Sequence, residues 1–478
     1  MSADGHAHDL VVIGGGVGGL VTASVAGQLG LDTVLVEREN NLGGDCLHYG
    51  CVPSKTLIRS AEVAHMARQA GRFGINAQTG ETDLGAVSDR VQQVVQAIQE
   101  HDDPDRFRGY GVDVVFGEAS FLDPHTIVVG DRRIRGRRFV IATGSRPAVP
   151  PIDGLQDIDY WTNETVFRQR QLPARMAVLG GGPIGLELAQ SFARLGSQVT
   201  VFEAAPRVLP REDPEMTAEL TRLLIDEGLA IRAGAEVEQV EHIGDRGYRL
   251  RAAANGAITD FEVDAILVAA GRRPNVEALD LEAAGVILEK GYIRVDRRMR
   301  TSARHIFACG DCCGPYPFTH VAEYQAGIII ANAVFRLPKK ADYRVIPWVT
   351  YTAPELAHVG LTEQQAVDQG LKVRVARFRF SDVDRALTEG AAGGMMKLIV
   401  HRGRIAGATI LGPHGGELLH EVVLAMQARV RVSHLAGAVH AYPTLAQIHR
   451  RVVNTLYAGK LYSSGTRRLV RWINRLLP

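Results

Sequence analysis

Two cysteines, Cys46 and Cys51, stand five positions apart in residues 43–55, GGDCLHYGCVPSK. Such a pair can ligate a metal, pack as inert thiols, or cycle between dithiol and disulfide. A structural zinc site wants a second ligand pair, and the three remaining cysteines supply no convincing one. A disulfide needs its Cα atoms about 4.4–6.8 Å apart, whereas five residues of regular helix rise about 7.5 Å. The pair therefore closes only if the chain bends. Gly50 and Pro53 suit a non-helical approach to a helix beginning near Cys51. A bridge across such a bend is readily strained, and strained bridges are the reducible ones. The redox reading is thus favoured, with metal ligation and packing kept as alternatives.

Other groups could do chemistry. Adjacent Cys312 and Cys313 suit a soft metal ion or serve only as small packing thiols. Cys309 is expected inside a strand and in the core. His48 either tunes a thiolate or makes a structural hydrogen bond. No residue is assigned here as a metal ligand.

The elements that must position these groups begin with a buried strand, a glycine turn and a helix in HDLVVIGGGVGGLVTASVAGQLG, followed by the strand LDTVLVE. Gly14, Gly16 and Gly19 occupy the turn and Glu37 ends the second strand. The pattern returns in ARMAVLGGGPIGLELAQSFARLG and SQVTVFE, with Gly180, Gly182, Gly185 and Glu203. In both copies the glutamate follows the third glycine by 18 residues. One such glycine pattern is weak, but two with strand, helix and spaced acid define two dinucleotide-binding units. The glycines let the backbone approach a pyrophosphate, the helix N-terminus attracts it, and the acid accepts from a ribose. Glu203 would repel a 2′-phosphate, favouring NADH over NADPH at the second unit; Arg207, four residues on, could partly offset it.

RRFVIATGSRP and DAILVAAGRRP read as strands ending in turns, carrying Thr143, Gly144 and Gly271. HIFACGD ends in the same way at Asp311. From about residue 346 the texture becomes alternating, as in antiparallel strands, followed by the helical GGELLHEVVLAMQARV.

With these motifs in place, the chain resembles the flavoprotein disulfide reductases, the class I pyridine nucleotide-disulfide oxidoreductases that include dihydrolipoamide dehydrogenase, glutathione reductase and mercuric reductase. The likeness runs from about residue 8 to about 458. It implies an α/β fold: two Rossmann-like domains for FAD and NAD(P), and a C-terminal α+β interface domain in a homodimer. It assigns residues 1–150 and 276–345 to FAD binding, 151–275 to NAD(P) binding, 346–462 to dimerisation and 463–478 to a basic tail. It implies that Gly14, Gly16, Gly19, Glu37, Gly44, Lys55, Thr143, Gly144, Asp311 and His320 serve FAD, and that Gly180, Gly182, Gly185, Glu203 and Gly271 serve NAD. Cys51 would be the thiol beside the flavin and Cys46 the interchange thiol. Lys55 would lie near the flavin ring with Glu187 as its carboxylate partner. Electrons would pass from nicotinamide through flavin to Cys46–Cys51 and on to an acceptor. The partner's C-terminal domain would complete each site.

The C-terminal signature departs from that family pattern. Dihydrolipoamide dehydrogenases and glutathione reductases place a basic histidine before the proline and a glutamate five residues later. HAYPTLAQ, residues 440–447, has Tyr442 and Gln447 instead. A tyrosine with pKa near 10 is ionised on the order of one part in a thousand at neutral pH. His440 is the available substitute base, but a two-residue step along an extended chain moves the ring by roughly 6–7 Å. Tyrosine at this place is similar to mercuric reductase, although the C-terminal cysteine pair and N-terminal metal-binding domain of those enzymes are not found here. The expected acceptor is a disulfide, a thiol-bound metal ion or a quinone-like oxidant. The rival readings are dihydrolipoamide dehydrogenase activity, soluble pyridine nucleotide transhydrogenation, and a flavin-stabilised docking protein with little turnover.

Composition narrows the setting. The net charge of +1 over 478 residues gives no reason to expect nucleic acid. Five cysteines do not make a secreted disulfide framework. No run of about 18 apolar residues occurs, and the opening MSADGHAHDL is polar. The expected address is cytoplasmic, with a peripheral position at the inner face of the membrane as the second choice. That choice rests on the tail, SSGTRRLVRWINRLLP. As a helix it would put Leu469, Trp472, Ile473 and Leu476 on one side and Arg468, Arg471 and Arg475 on another, suiting an anionic membrane or an acidic partner.

Overall fold

A computed structural model describes residues 6–78, 80–254 and 256–476. The first five residues of the polar opening and the last two of the tail lie outside them. Its contacts divide the chain into two units: Met1–Gly180, Ser191–Val199 and Glu236–Asp342, and Gly181–Gln190, Thr200–Ala235 and Tyr343–Pro478.

The first unit is built on a five-stranded parallel sheet in the order Ile306–Ala308, Phe139–Ile141, Leu10–Ile13, Thr33–Glu37, Val112–Phe116. Its central strands read LVVI and TVLVE because both faces are covered, leaving almost no solvated position. The glycine turn leads into the helix Val17–Gln28. The strands Arg175–Leu179 and Ala265–Val268 also pair in parallel. Ser145–Pro147 and Arg272–Pro274, the two turns that end in proline, pair antiparallel. Two features were not anticipated from the sequence: the meander Ala119–Asp123, Thr126–Val129, Arg132–Arg135, and the antiparallel pair Tyr248–Ala254 and Ala257–Val263. Their exposed faces carry charge, as in RRIR, which blurs the apolar alternation.

In the second unit, Thr200–Glu203 runs parallel to Ala230–Ala233. The C-terminal part is a five-stranded antiparallel sheet in the order Pro347–Thr350, Glu355–Gly360, Arg404–Gly412, Met395–His401, Val373–Arg379. The helices Gly415–Gln427 and Gln447–Leu461 supply Leu419, Val422, Ile448, Val452 and Val453 to a core shared with Phe380, Leu398 and Ile410. The spacing of three to four residues between these helical positions is the apolar stripe that covers one face of a sheet. A last helix, Ser464–Leu476, follows. No described helix is long and apolar enough to cross a membrane.

Candidate active site

Cys46 lies in the short helix Gly44–His48, and Cys51 opens the helix Cys51–Gln69. Gly50 makes the break between them, with φ −120° and ψ −112°; Pro53 sits in the first turn, where its missing N–H costs nothing. The bend expected from the spacing is therefore present. Both cysteines are thiols here, Cys46 half-buried and Cys51 exposed.

The sulfurs are hydrogen-bonded to each other, and their acidities split. Cys51 is pushed down to about 6, first by the hydrogen bond from Cys46, then by Thr319 and the Lys55 ammonium, against the opposing effect of burial. Cys46 is pushed well above the ordinary thiol range, first because its proton is held by Cys51 and then by burial. The arrangement is a Cys46 thiol donating to a Cys51 thiolate. Cys51 Sγ lies 3.3 Å from Thr319 Oγ1, across 268 residues of chain. Thr319 opens the helix Thr319–Ile329. Cys51 also occupies the first position of its own helix, and helix N-termini favour a thiolate.

Around the pair, Asp45 bridges to Arg272 at 3.0 Å, and Asn163 donates to Tyr49 O at 3.0 Å and to Asp45 at 3.3 Å, fixing the loop between the cysteines. His48 Nε2 lies 2.9 Å from Leu42 O, the structural bond rather than a thiol contact. Lys55 is half-buried, its Nζ 3.3 Å from Ser54 Oγ. In the second unit, Glu187 is 5% exposed and accepts from Tyr351 N at 2.8 Å.

The glycine turns show why each position is glycine. At Gly14, φ is +109° and a Cβ would stand 2.4 Å from Ala142 O; at Gly180, φ is +118° and a Cβ would stand 2.4 Å from Ala269 O. A Cβ on Gly19 would strike Gly14 O at 1.8 Å. The middle glycines differ. A Cβ on Gly16 would meet only Gly44 Cα at 3.9 Å, and one on Gly182 nothing within 4 Å. The fold itself does not need those two to be bare, and the space beside them fits the close approach of a pyrophosphate. Gly185 is buried in the helix Pro183–Leu195.

The two acids repeat one geometry. Glu37 accepts from Gly15 N at 2.5 Å and Glu39 N at 2.9 Å. Glu203 accepts from Gly181 N at 2.7 Å and Ala205 N at 2.8 Å. Each carboxylate is locked against its own glycine turn, at the strand end where a ribose would lie. Arg207 is occupied elsewhere, donating to Leu209 O, Pro210 O and Thr217 Oγ1 at 3.1, 2.6 and 3.1 Å.

Asp311 accepts from Ser145 Oγ at 2.5 Å, and burial raises its carboxyl above the ordinary range. Thr143 Oγ1 donates to Asn275 O at 2.7 Å. Gly144 and Gly271 have positive φ, +68° and +131°. His320 is exposed and stacked on Phe318, with centroids 5.5 Å apart. Cys309 follows the strand Ile306–Ala308 instead of lying within it, and is 1% exposed. Cys312 and Cys313 are buried, donating to Cys309 O and Gly310 O at 3.2 Å each.

In the C-terminal part, Tyr442 is 67% exposed and donates to Asp384 Oδ2 at 3.0 Å, a bond that raises its phenol above the ordinary value. His440 is held differently. Its Nε2 is 3.1 Å from Glu421 Oε1 and its Nδ1 3.3 Å from Ala438 O, so both ring nitrogens are engaged. His449 Nδ1 lies 3.1 Å from the other Glu421 oxygen, and its buried Nε2 has no hydrogen-bond partner. Donor atoms of Glu421, His440 and His449 lie within 4.8 Å of one another, as do those of His6, His8 and Asp32. Sequence reading missed Glu421, His449, Thr319, Asp45 and Arg272. Only Thr319 and Asp45 had a signal, lying beside His320 and Cys46.

Fold and site together define a pyridine nucleotide-linked dithiol flavoprotein. Residues 8–326 match the pyridine nucleotide-disulphide oxidoreductase family and residues 346–452 its dimerisation domain, so this chain belongs to the pyridine nucleotide-disulphide oxidoreductases and is an enzyme of that class. It is 35% identical to a mercuric reductase of Staphylococcus aureus over 92% of this chain and 81% of that protein. It is 38% identical to a dihydrolipoyl dehydrogenase of Thermus scotoductus over 94% and 99%. The solved copper(II) complex of the HOCl-induced flavoprotein disulfide reductase RclA from Escherichia coli superposes with TM-score 0.84 at 28% identity, covering 94% of this chain and all of that one. Membership implies FAD and a pyridine nucleotide, and the dimerisation domain supports a homodimer.

Proposed function

We propose that this protein is an NADH-dependent, FAD-containing oxidoreductase whose Cys46–Cys51 pair passes electrons to a soft, thiol-bound metal ion. The observation that carries the reading is the contrast between the cysteine pair and the C-terminal signature. The pair is built for a thiolate at neutral pH, while the position where relatives that reduce disulfides keep a histidine holds a tyrosine tied to Asp384.

FAD, when bound, accepts hydride from the nicotinamide and delivers its two electrons onward. Gly14, Gly16, Gly19, Glu37, Gly44, Thr143, Gly144, Asp311 and His320 would hold it; Gly180, Gly182, Gly185, Glu203 and Gly271 would hold the nucleotide. Opening the Cys46–Cys51 bond with two electrons and one proton leaves one thiol and one thiolate. Cys46 keeps the proton and Cys51 the charge, which Thr319 and Lys55 stabilise. The Lys55 ammonium favours the charged form of Cys51. Glu203 disfavours a 2′-phosphate, and the commitment of Arg207 to backbone carbonyls and a hydroxyl removes the nearest compensation, so NADH is the donor.

A disulfide substrate needs a base to manage its thiol proton. Tyr442 cannot serve, and His440 has neither ring nitrogen free, so we assign His440 a positioning role. A soft metal ion needs only thiolates, and its binding displaces their protons. Two electrons from one NADH convert Hg(II) to Hg(0), or two Cu(II) to two Cu(I). The likeness to mercuric reductase supports the metal reading. The dihydrolipoyl dehydrogenase likeness supports the class, but Tyr442 and Gln447 stand against that substrate. We retain the division 1–150, 151–275, 276–345, 346–462 and 463–478, and a cytoplasmic address suits a thiol pair kept reduced.

The test is anaerobic NADH oxidation with Hg(II), Cu(II), lipoamide, glutathione disulfide and a quinone, Hg(II) being presented with excess small thiol and Cu(II) without added thiol. Turnover with a metal at least 100-fold above that with either disulfide is expected. Lipoamide turnover equal to that with the metals would overturn the acceptor, and transhydrogenation undiminished in C46S/C51S would favour nucleotide exchange instead.

A further inference from the structure

The helix Ser464–Leu476 follows the region matched to the dimerisation domain. Of its residues, none is buried. Leu469, Trp472 and Leu476 are 54%, 61% and 60% exposed, and Ile473 is 37% exposed. Their positions, i, i+3, i+4 and i+7, make one continuous stripe on a helix. Arg467, Arg468, Arg471 and Arg475 lie on the other side, and the sequence contains no Asp or Glu after Glu421. Thr466, Arg467, Val470 and Arg471 line a shallow groove with Leu461 and Tyr462, the end of the preceding helix. That leaves the Leu469–Trp472–Ile473–Leu476 stripe turned away from the chain.

An exposed apolar stripe on a short helix is costly in water unless something covers it. Three features select the cover. The stripe runs about 11 Å along one side of the helix at 1.5 Å per residue, which suits a flat apolar boundary. Trp472 borders the arginine face through Arg468, and a tryptophan beside cations is the composition of an aqueous–lipid boundary. All four cations are arginines, whose planar guanidinium pairs with phosphate through two hydrogen bonds.

We propose that Ser464–Leu476 docks the protein on an anionic lipid bilayer, the helix lying flat with the Leu469–Trp472–Ile473–Leu476 stripe in the acyl boundary and Arg468 and Arg475, which flank the stripe, against lipid phosphates. The helix does not span: 13 residues cover about 20 Å, against a hydrocarbon core of about 30 Å. One such helix binds reversibly, and two copies in a homodimer bind together, multiplying the affinity. The docking is independent of the acceptor.

The test is flotation of the full-length, FAD-loaded protein with vesicles of phosphatidylcholine alone or with 30% phosphatidylglycerol. Binding to the anionic vesicles at least tenfold above the neutral ones is expected, falling at least tenfold in 0.5 M salt. L469E/W472E should abolish it and R468Q/R475Q should weaken it at least fivefold, both with unchanged FAD content and NADH turnover with ferricyanide. No binding to anionic vesicles, equal binding to both compositions, or binding unchanged in L469E/W472E would overturn the proposal. So would light scattering showing that the wild type assembles beyond a dimer and that L469E/W472E reverts it to one, because the stripe would then be covered by another copy.

Discussion

Replacing Cys46 should change the chemistry of Cys51 in a way that separates hydrogen bonding from mere proximity. Cys51 is lowered from an ordinary thiol value of 9.0 to about 6, and its largest stabilising contact is the Cys46 hydrogen bond. Losing that contact should therefore raise the Cys51 midpoint more than losing any other single neighbour. C46S keeps a hydroxyl that can donate to the thiolate; C46A removes it. With a midpoint near 6, about 90% of Cys51 is ionised at pH 7; with a midpoint near 8, about 10% is. The assay is a pH titration of the long-wavelength absorbance of the FAD-loaded variants, which reports a thiolate beside the flavin. The midpoint in C46A should lie at least about one pH unit above that in C46S. Coincident midpoints would refute the thiol–thiolate pairing.

Three further outcomes follow from the geometry. Gly16→Ala places a methyl in space the protein leaves open, so the chain should fold while FAD retention after gel filtration falls at least tenfold; retained FAD would remove the cofactor from that turn. Glu212 is buried beneath Trp348 and burial pushes its carboxyl up to about 7 from 4.5; the folded state holds the proton more tightly, so stability present below pH 4.5 is lost as pH rises through 7. That loss is at most about 3 kcal/mol, and Glu212→Gln should flatten the fall in Tm between pH 5 and pH 8. Lys397 is buried among Asp213, Glu215 and Glu363 at 2.8, 2.9 and 2.8 Å; Lys397→Met leaves three facing carboxylates, and a loss of about 3–5 kcal/mol should appear as a lowered urea midpoint.

The parts of this molecule that chemistry constrains locally could be read from the sequence. Gly14 and Gly180 announce their turns because nothing with a side chain fits against Ala142 O or Ala269 O. Cys46 and Cys51 announce a bend because the spacing cannot be spanned by a helix. The C-terminal sheet declared itself through alternation in VRVARFR and MMKLIVH. What could not be read depends on contacts remote in the chain. Thr319 reaches Cys51 across 268 residues, and the Glu421 carboxylate that immobilises His440 lies 19 residues away on another element. Sequence offered His440 as a substitute base set two residues from the expected place; the fold has already used both its nitrogens.

Anaerobic titration of the FAD-loaded protein with NADH, followed by counting of reactive thiols, tests the central claim most directly. One NADH per site should release two thiols, assigned by mass spectrometry to Cys46 and Cys51, with none released in C46S/C51S. Flavin reduction with no thiol released in the wild type would contradict the account.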